Sequence, residues 1–279
     1  MSDPKVWMIT GGSRGMGASF VDAALAAGHS VVATARHVDA VVRAFGTRDR
    51  LLAVPLDVTD SDQAYAAVDA AVAGFGRIDV VVNNAGASFK GYFEEMSPAQ
   101  VEQQLRVNLL GPMHLTRAVL PVMRRQRSGH IVAVSSGAGL VGFEYSSVYA
   151  ASKAGLEGWM GALASEVAPF GIGTTIVNPG FFRTGLASPE SLIWPEFAID
   201  DYADSSAAQR AWWQAQDGRQ SGDPDKLARA LVQILDEHPP PRRFIAGSDV
   251  LQLAERKIDE LREQIEAHRA LSASLDVDD

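Results

Sequence analysis

Short runs of valine and isoleucine recur along this chain between longer segments rich in alanine. Most of these runs are apolar at every position instead of alternating with polar residues, which predicts strands that are buried on both faces. Strands of this kind that alternate with helices form a parallel sheet covered by helices on each side. The strand candidates are residues 6–10, 30–35, 51–55, 80–83, 131–135, 174–178 and 244–246.

The helix candidates fall between these strands and complete a βαβ pattern. They are residues 16–27, 61–74, 98–125, 149–168 and 224–238. The alternation predicts an α/β fold with a doubly wound parallel sheet of the Rossmann type. An α/β fold of 279 residues commonly forms one domain, so we expect a single domain over residues 1–248 and a helical extension over residues 249–279.

Two segments depart from the pattern. Residues 181–222 are rich in aromatic side chains and show no regular period, and we expect this segment, called the lid below, to be irregular. Near the end of the chain, apolar residues recur at alternating steps of three and four, which predicts a helix with one apolar stripe. The stripe would dock either on the body of the same chain or on another subunit, and it consists of Leu251, Ala254, Ile258, Leu261 and Ile265.

Charge and composition exclude several classes of function. A net charge of -9 argues against a basic surface for nucleic acid or anionic membranes. The chain has no cysteine, and its six histidines show no metal-ligand spacing, so we predict neither disulfides nor a metal site. Residues 1–5 lack a signal pattern, and no segment of about 18 residues is apolar throughout. We expect a cytoplasmic protein with a small-molecule partner.

A glycine-rich turn, TGGSRGMG at residues 10–17, follows the first strand and leads into the first helix. Glycines allow the backbone to approach a pyrophosphate closely. The negative charge of that group is favoured by unpaired N–H groups and by the positive end of the helix dipole. The residues predicted to contact the nucleotide are Gly11, Ser13, Arg14, Gly15, Met16 and Gly17.

The same turn also fits the G-x-S-x-G nucleophile elbow of α/β-hydrolases, with Ser13 as the nucleophile. That site needs an oxyanion hole from an earlier loop between a strand and a helix, and only ten residues precede Gly11. No earlier strand can supply this loop. A plain tight turn is the other alternative, and the position of the turn directly after a strand argues against it.

Arg36 ends the second strand, about twenty residues after Gly15, at the place where a dinucleotide site selects its nucleotide. An acid at this place binds the ribose of NAD, whereas a base binds the 2′-phosphate of NADP. The guanidinium groups of Arg36 and Arg14 suit a phosphate, and the nearest carboxylate, Asp39, comes later. We therefore predict NADP(H) as the cofactor, with a solvated strand end as the alternative for Arg36.

Tyr149 and Lys153 lie four residues apart in a predicted helix, so their side chains share a face. A free tyrosine titrates near 10, and a neighbouring ammonium group stabilises the phenolate and lowers this pKa. Such a phenol can act as a general acid or base near neutral pH. Single pairs with this spacing are common on exposed helix faces, so the pair indicates an active site only together with other motifs.

When the pair is taken together with the other motifs, the chain resembles the short-chain dehydrogenase/reductase family over nearly its whole length, to about Ser248. The stretch PPPRRF at residues 239–244 is similar to hydroxysteroid-dehydrogenase-type members of that family. The motifs occur in the family's order: TGGSRGMG at residues 10–17, Asp57-Val58, NNAG at residues 83–86, Asn108, Ser136 thirteen residues before Tyr149, YAASK at residues 149–153, NPG at residues 178–180, and Thr184.

The resemblance implies a role for each matching residue. Tyr149 is the acid or base, Lys153 binds the nicotinamide ribose and lowers the pKa of Tyr149, Ser136 holds the substrate oxygen, and Asn108 positions a relay water. The implied cofactor contacts are Asp57 and Val58 at the adenine, Asn84, Ala85 and Gly86 beside the cofactor, Thr184 at the carboxamide, and Pro179 and Gly180. Residues 1–248, including the lid, then form a dinucleotide-binding catalytic domain.

Ser136 follows the fifth strand and Asn84 follows the fourth, so both lie at carboxyl ends of strands, where doubly wound sheets bind their ligands. Ser135 is the alternative to Ser136 at the end of this strand. The spacing to Tyr149 favours Ser136.

Glu94 and Glu95 are adjacent in the sequence, so their side chains point apart. We expect a solvated loop or helix start there.

Aromatic residues mark three loops at the predicted edge of the sheet, and they indicate a bulky, largely apolar ketone or secondary alcohol as substrate. Packing of these rings on the body of the protein is the alternative. They are Phe89, Tyr92, Phe93, Phe143, Tyr145, Trp194, Phe197, Tyr202, Trp212 and Trp213.

We expect an oxidoreductase that forms a homo-oligomer, either a dimer or a tetramer. Two other functions fit the same fold. One is a regulator that binds NADP(H) without turnover, and the other is an epimerase or dehydratase that uses a transient hydride. The intact set of Tyr149, Lys153, Ser136 and Asn108 argues against the regulator.

Overall fold

The structure is a computed structural model and describes residues 3–188 and 191–277, so Pro189 and Glu190 of the lid lie outside the described residues. The strands are Val6–Thr10 (β1), Ser30–Ala35 (β2), Leu51–Pro55 (β3), Val80–Asn83 (β4), Ser88–Phe89 (β5), Gly129–Val134 (β6), Ile172–Pro179 (β7), Leu192–Ile193 (β8) and Arg243–Ala246 (β9). The helices are Gly15–Ala26 (α1), Val38–Phe45 (α2), Ser61–Phe75 (α3), Pro98–Leu105 (α4), Gly111–Gln126 (α5), Ser147–Val167 (α6), Ala203–Ala215 (α7), Pro224–Ile234 (α8) and Ser248–Ala273 (α9).

Seven strands form one sheet in the order β3-β2-β1-β4-β6-β7-β9, and every neighbouring pair is parallel. The chain winds outward from β1 to β3 and then returns to β4 on the other side of β1. This reversal opens a crevice at the carboxyl ends of β1 and β4. The predicted doubly wound sheet of the Rossmann type is therefore confirmed.

An apolar layer covers each face of this sheet. Met8 and Ile9 are both fully buried, but Met8 packs in the layer of α3, α5 and α6 and Ile9 in the layer of α1, α2 and α8. Successive side chains of a strand point to opposite faces, so a sheet covered twice needs apolar residues at every position. This arrangement explains the unbroken valine and isoleucine runs.

One helix was missed in the sequence, and two predictions were wrong in detail. Helix α2 was not predicted, although Val41 and Phe45 lie four residues apart and are both buried. The single helix predicted over residues 98–125 is divided into α4 and α5 by a π-helical turn over Arg106–Leu110. The lid is not irregular throughout, because it contains α7 and the short strand β8.

The predicted C-terminal helix is confirmed as α9, but its apolar stripe does not dock on the body of the chain. Only its first turns contact the core of the protein, where Val250 and Leu253 lie against Gly137. Farther along, Ile258, Leu261 and Ile265 are 49%, 45% and 56% exposed. The helix projects from the body, so the stripe remains open to solvent.

Within the described ranges, none of the helices is both long and apolar enough to cross a membrane. In the same residues, no three histidine, aspartate or glutamate side chains come together in an arrangement that could hold a metal ion.

Candidate active site

Two adjoining cavities lie at the carboxyl ends of the central strands. The smaller cavity faces the glycine-rich turn and is bordered by Met16 and Thr184, whereas the larger has a volume of about 710 Å³ and extends beneath α7. A volume of this size suits a small organic molecule. The residues that border both cavities are Lys90, Ser136, Tyr149, Pro179, Gly180, Phe181 and Trp213.

The predicted catalytic residues meet at the wall between the cavities. Ser136 and Tyr149 border both cavities, and Lys153 lies behind them. The Lys153 Nζ is 5.8 Å from the centre of the Tyr149 ring and donates a hydrogen bond to the Val134 carbonyl at 2.8 Å. Helix α6 therefore brings both side chains to one face, at the end of β6.

Burial controls the ionisation of these groups. It raises the pKa of Tyr149 above its usual 10, and hydrogen bonding to Ser136 acts in the opposite direction. It also lowers the pKa of Lys153 to about 8, against the pull of Glu157. Burial therefore has a larger effect on the Tyr149 pKa than hydrogen bonding to Ser136, and the lowering by Lys153 that the resemblance implied stays a prediction.

A polar network below the site fixes the end of β6. Glu157 accepts hydrogen bonds from Ser135 Oγ at 2.6 Å and Asn178 Nδ2 at 2.5 Å, and it pairs with Arg243 at 2.6 Å. Asn178 Nδ2 also donates to the Ser136 carbonyl at 2.9 Å. Ser135 is thus engaged in structure, while the Ser136 side chain borders both cavities, accepts from the Ala138 N–H at 3.1 Å and is hydrogen bonded with Tyr149.

Glu157 and Arg243 were not singled out from the sequence. A signal for Glu157 was present, because it continues the four-residue spacing of Tyr149 and Lys153 along the same face of α6. No comparable signal marks Arg243, since it reaches the network through the pairing of β9 with β7.

Asn108 lies in the π-helical turn between α4 and α5 and is completely buried. Its Oδ1 accepts from the Ala87 N–H at 2.9 Å, and its Nδ2 donates to the Ala87 carbonyl and to Ser152 Oγ, both at 3.1 Å. The side chain therefore holds the loop after β4 against α6. π-Helical turns recur at functional sites because they redirect one residue of a helix in this way.

The glycine-rich turn has the geometry that a pyrophosphate requires. Gly11 has a φ of 64° and Gly15 a φ of 56°, both in the left-handed region. A Cβ on Gly17 would overlap the Gly11 carbonyl, so only glycine allows this close approach. Among the described residues, no side chain caps the start of helix α1, which is also true of α2, α5, α6, α7 and α9. The first N–H groups of α1 are thus free for an anion.

Thr10 joins the glycine-rich turn to the loop after β4. Its Oγ1 accepts from the backbone N–H groups of Asn84 and Ala85, each at 2.9 Å, and Asn84 Nδ2 donates to the Thr10 carbonyl at 2.8 Å. Gly86 completes this loop, and a Cβ there would lie 3.4 Å from Asn108 Oδ1. The predicted residues Asn84, Ala85 and Gly86 thus flank the crevice.

Several predicted cofactor residues do not border either cavity, among them Arg14, Arg36, Asp57 and Val58. Arg14 and Arg36 are exposed, with Arg14 donating to Ser191 Oγ at 3.2 Å and Arg36 following the end of β2. Asp57 accepts from the Thr59 N–H at 2.9 Å and hydroxyl at 2.7 Å, and Val58 packs against Gly111. Arg36 and Asp57 thus follow the ends of β2 and β3, whereas Arg14 contacts the lid. Ser13 is half-buried in the turn.

The lid contributes a cluster of rings to the larger cavity. Phe181, Trp212 and Trp213 have ring centres 5.1–6.0 Å apart, and Phe143 faces them across the cavity. The other aromatic residues predicted for the site do not border either cavity. Packing elsewhere on the protein accounts for Phe89, Tyr92, Tyr145, Trp194 and Tyr202, whereas Phe93 and Phe197 are 64% and 50% exposed.

Two charged residues near the lid have roles that the sequence did not reveal. Glu95 is 3% exposed and accepts from Ser206 Oγ of α7 at 2.7 Å, so the expectation of a solvated pair was wrong for this residue. Glu94 remains exposed and accepts from the Tyr202 hydroxyl. Lys90 is buried at the wall of both cavities, and no sequence motif pointed to it.

Comparison with known proteins identifies a family for this architecture. The family model described as short chain dehydrogenase matches residues 5–192. The oxidoreductase BOA17 of Botryotinia fuckeliana is 38% identical over 271 residues, which cover 96% of this chain and 98% of the relative. A 3-ketodihydrosphingosine reductase of Bacteroides thetaiotaomicron is 34% identical and covers 88% of each chain.

Solved structures have the same fold. A short-chain dehydrogenase from Streptomyces avermitilis has a TM-score of 0.87 at 38% identity, covering 98% of this chain and all of its own. At lower similarity, a 3-ketoacyl-(acyl-carrier-protein) reductase from Brucella melitensis is complexed with NADH (TM-score 0.72, 27% identity, 87% and 95% covered). ElxO has NADP bound (TM-score 0.70, 26% identity, 87% and 96% covered). The extensive match to the family model and the covered length of these relatives lead to one conclusion: this chain belongs to the short-chain dehydrogenase/reductase family and is an NAD(P)-dependent oxidoreductase.

Proposed function

We propose that the protein transfers a hydride between NADP(H) and a bulky, largely apolar ketone or secondary alcohol, with Tyr149 as the general acid or base. The observation that carries this proposal is the position of Tyr149 and Ser136 at the wall shared by the two cavities. A substrate in the larger cavity can present its carbonyl to the hydroxyl groups of Tyr149 and Ser136 from one side of the wall. The smaller cavity leaves room for the nicotinamide ring of the cofactor on the other side.

Each predicted residue has a task that its surroundings support. Tyr149 donates a proton to the substrate oxygen, and Ser136 holds that oxygen with its hydroxyl group. Lys153 binds the nicotinamide ribose, while Asn108 holds the loop after β4 and positions a relay water. When bound, NADP(H) supplies or accepts the hydride. Burial keeps Tyr149 protonated until a substrate oxygen and the Lys153 charge favour transfer.

The cofactor preference is part of the proposal. The base Arg36 stands at the end of β2, where an acid would select NAD, and Arg14 lies in the turn nearby. Asp57 and Val58 would bind the adenine at the outer end of the crevice. Thr184 would bind the carboxamide, and it lies close enough to Gly15 that a Cβ there would be 3.5 Å from the Thr184 Cβ.

The substrate class follows from the larger cavity. Its lining includes Phe143, Phe181, Trp212 and Trp213, which favour an apolar body. One relative is named a 3-ketodihydrosphingosine reductase, a name that describes reduction of a ketone, and this agrees with a carbonyl substrate.

The central test is Tyr149→Phe, measured as consumption of NADPH in the presence of aryl and alkyl ketones of increasing size. We expect kcat to fall by about 10²–10⁴-fold, because the general acid is lost. The fluorescence of bound NADPH measures cofactor affinity, which we expect to be unchanged. Normal turnover by this variant would overturn the assignment, and binding of NADPH by the wild-type protein without consumption would favour the regulator or epimerase alternatives.

We also propose that the chain forms a dimer or a tetramer. The exposed stripe of Ile258, Leu261 and Ile265 on α9 supports this, because a second copy of α9 would cover the apolar side chains. Light scattering after size exclusion tests it: Leu261→Glu should reduce the measured mass, and a wild-type monomer at all concentrations would contradict the proposal. Residues 1–248 would then be the catalytic domain and residues 249–279 the assembling extension.

A further inference from the structure

Lys90 is a buried cation in the wall of the site. It follows β5, and only 3% of its surface is exposed. Its backbone N–H donates to the Ile193 carbonyl of β8 at 2.9 Å, and the next N–H, of Gly91, donates to the Tyr145 carbonyl at 3.1 Å. These contacts fix the backbone, so the side chain is directed toward the cavities by the fold.

The ammonium group of Lys90 lies between rings and not beside an acid. Its Nζ is 3.8 Å from the centre of the Trp213 ring and 5.0 Å from the centre of the Tyr149 ring. It donates one hydrogen bond, to Ser146 Oγ at 2.8 Å. Among residues 3–188 and 191–277, Lys90 forms no ion pair with a carboxylate.

A buried ammonium without a counter-ion is costly, because it loses water and gains no opposite charge. In agreement with this, burial lowers the pKa of Lys90 to about 7. The rings of Trp213 and Tyr149 stabilise the cation only in part. One hydrogen bond also leaves two of the three ammonium N–H groups without a hydrogen-bond acceptor among the described side chains.

The ammonium group of Lys90 lies in the same cavity wall as the residues proposed to act on the substrate carbonyl. Lys90, Ser136 and Tyr149 all border both cavities. The other charged residues in the described lining of the larger cavity are Glu144, Asp249 and Arg256, and all three are exposed. Lys90 is therefore the one buried charge in the described lining of that cavity.

We propose that Lys90 is a substrate-binding residue whose ammonium group pairs with a single carboxylate that the substrate carries close to its reacting carbon. An anion gains more than a neutral oxygen from a buried cation, since charge-assisted hydrogen bonds are shorter and stronger. The apolar lining then holds the rest of the molecule. This inference rests on the proposed function in one respect: the carboxylate and the carbonyl belong to the same substrate molecule.

The first experiment measures binding without turnover. Calorimetry on the NADPH-loaded protein compares γ-phenylbutyrate with γ-phenylbutyramide, two ligands of the same shape that contain no ketone. We expect the wild-type protein to bind the carboxylate about 10–100-fold more tightly, as hydrogen bonds to charged groups do. Equal affinity for the two ligands would overturn the proposal without any variant being needed.

The variants identify the residue responsible. Lys90→Met should abolish the preference for the carboxylate and leave the affinity for the amide within about twofold, while Lys90→Arg should keep part of the preference. Lys226→Met is the matched control, since Lys226 is exposed on α8. If Lys90→Met weakens both ligands equally, Lys90 only packs against Trp213, and the proposal is wrong.

The second experiment adds turnover, with β-benzoylpropionate and its methyl ester as ketones. We expect Lys90→Met to raise KM for the acid about tenfold or more and to leave kcat/KM for the ester nearly unchanged. A loss of kcat for both ketones would instead place Lys90 in proton transfer and contradict the proposal. If the protein binds γ-phenylbutyrate through Lys90 but reduces neither ketone, the carboxylate site stands and the proposed reaction fails.

Discussion

The two ends of the crevice are built by different means. At the nucleotide end, backbone atoms make the site, through the left-handed turn at Gly11, the close approach of Gly17 and the uncapped start of α1. At the substrate end, side chains from distant segments make it, with Trp213 of the lid over Lys90 of the β5 loop. The first end depends on local geometry, and the second depends on tertiary contacts.

Because of this difference, the two ends recognise their ligands in different ways. Backbone N–H groups at a helix start bind any phosphate, so the nucleotide end needs no particular side chain to hold a pyrophosphate. Helix α7 of the lid is held by single side-chain contacts, such as Glu95 with Ser206 and Glu144 with Gln209. Replacing one residue there can change which substrate fits, without disturbing the sheet. Four experiments test this comparison.

The largest effect should come from Gly17→Ala at the nucleotide end. A Cβ at this position overlaps the Gly11 carbonyl, so the turn must open. We expect the free energy of unfolding to fall by about 1–3 kcal/mol and NADPH binding to be lost. Gly158→Ala is the control, because Gly158 lies on α6 with nothing within 4 Å of the added Cβ, and it should stabilise the protein by about 0.5–1 kcal/mol. Unchanged NADPH binding in Gly17→Ala would show that the backbone does not make this end.

The next effect concerns Lys90→Met and the pH dependence of stability. The pKa of Lys90 falls from 10.5 in the unfolded chain to about 7 in the folded protein, where it faces Ser146, Trp213 and Tyr149. Between these values the unfolded chain binds more protons, so the free energy of unfolding of the wild-type protein rises with pH. Below about pH 7 the cost of burying the charge is complete.

We therefore expect the stability of Lys90→Met relative to the wild type to be higher at about pH 6 than at about pH 9, by about 2 kcal/mol. Urea unfolding at both pH values measures this difference. Lys226→Met, at an exposed site, should show no such dependence. A pH-independent difference for Lys90→Met would mean that Lys90 is not buried as an isolated cation.

A smaller effect is expected for Glu95→Gln at the substrate end. Glu95 is buried and holds α7 through Ser206, and an amide keeps only part of that bonding. We expect a loss of about 1–2 kcal/mol in the free energy of unfolding and a raised KM for bulky ketones, with NADPH affinity unchanged. Glu94→Gln is the control, since Glu94 is exposed and should lose less than about 0.5 kcal/mol. Weakened NADPH binding in Glu95→Gln would show that the two ends are coupled.

The smallest effect should be that of Arg36→Ala. Arg36 is exposed beyond β2, and its proposed contact with the 2′-phosphate would be screened by solvent. We expect the Kd for NADPH to rise about tenfold and the Kd for NADH to remain the same, by fluorescence titration. Arg43→Ala, an exposed arginine on α2, should change neither value. An equal loss for both nucleotides would remove Arg36 as the selecting residue.

Sequence patterns predicted the fold well where the signal was local. Runs rich in valine and isoleucine, most of them apolar at every position, marked all seven strands of the main sheet, because a sheet covered on both faces buries both sides of its strands. The four-residue spacing of Tyr149 and Lys153 placed both on one face of α6. Helix α2 was not predicted because it is short. The π-helical turn at Asn108 was not predicted because it has no sequence period of its own.

The sequence by itself determined the doubly wound sheet, the glycine-rich turn and the Tyr149 and Lys153 pair, because periodicity, glycine conformation and helix spacing act over a few residues. Only the tertiary structure decided that Glu95 is buried, that Arg243 supports Ser136 through Asn178, and that Lys90 lies without an acid at the wall of the cavities. Burial and pairing of a charge depend on which distant segments pack around it, and that information is not contained in local spacing.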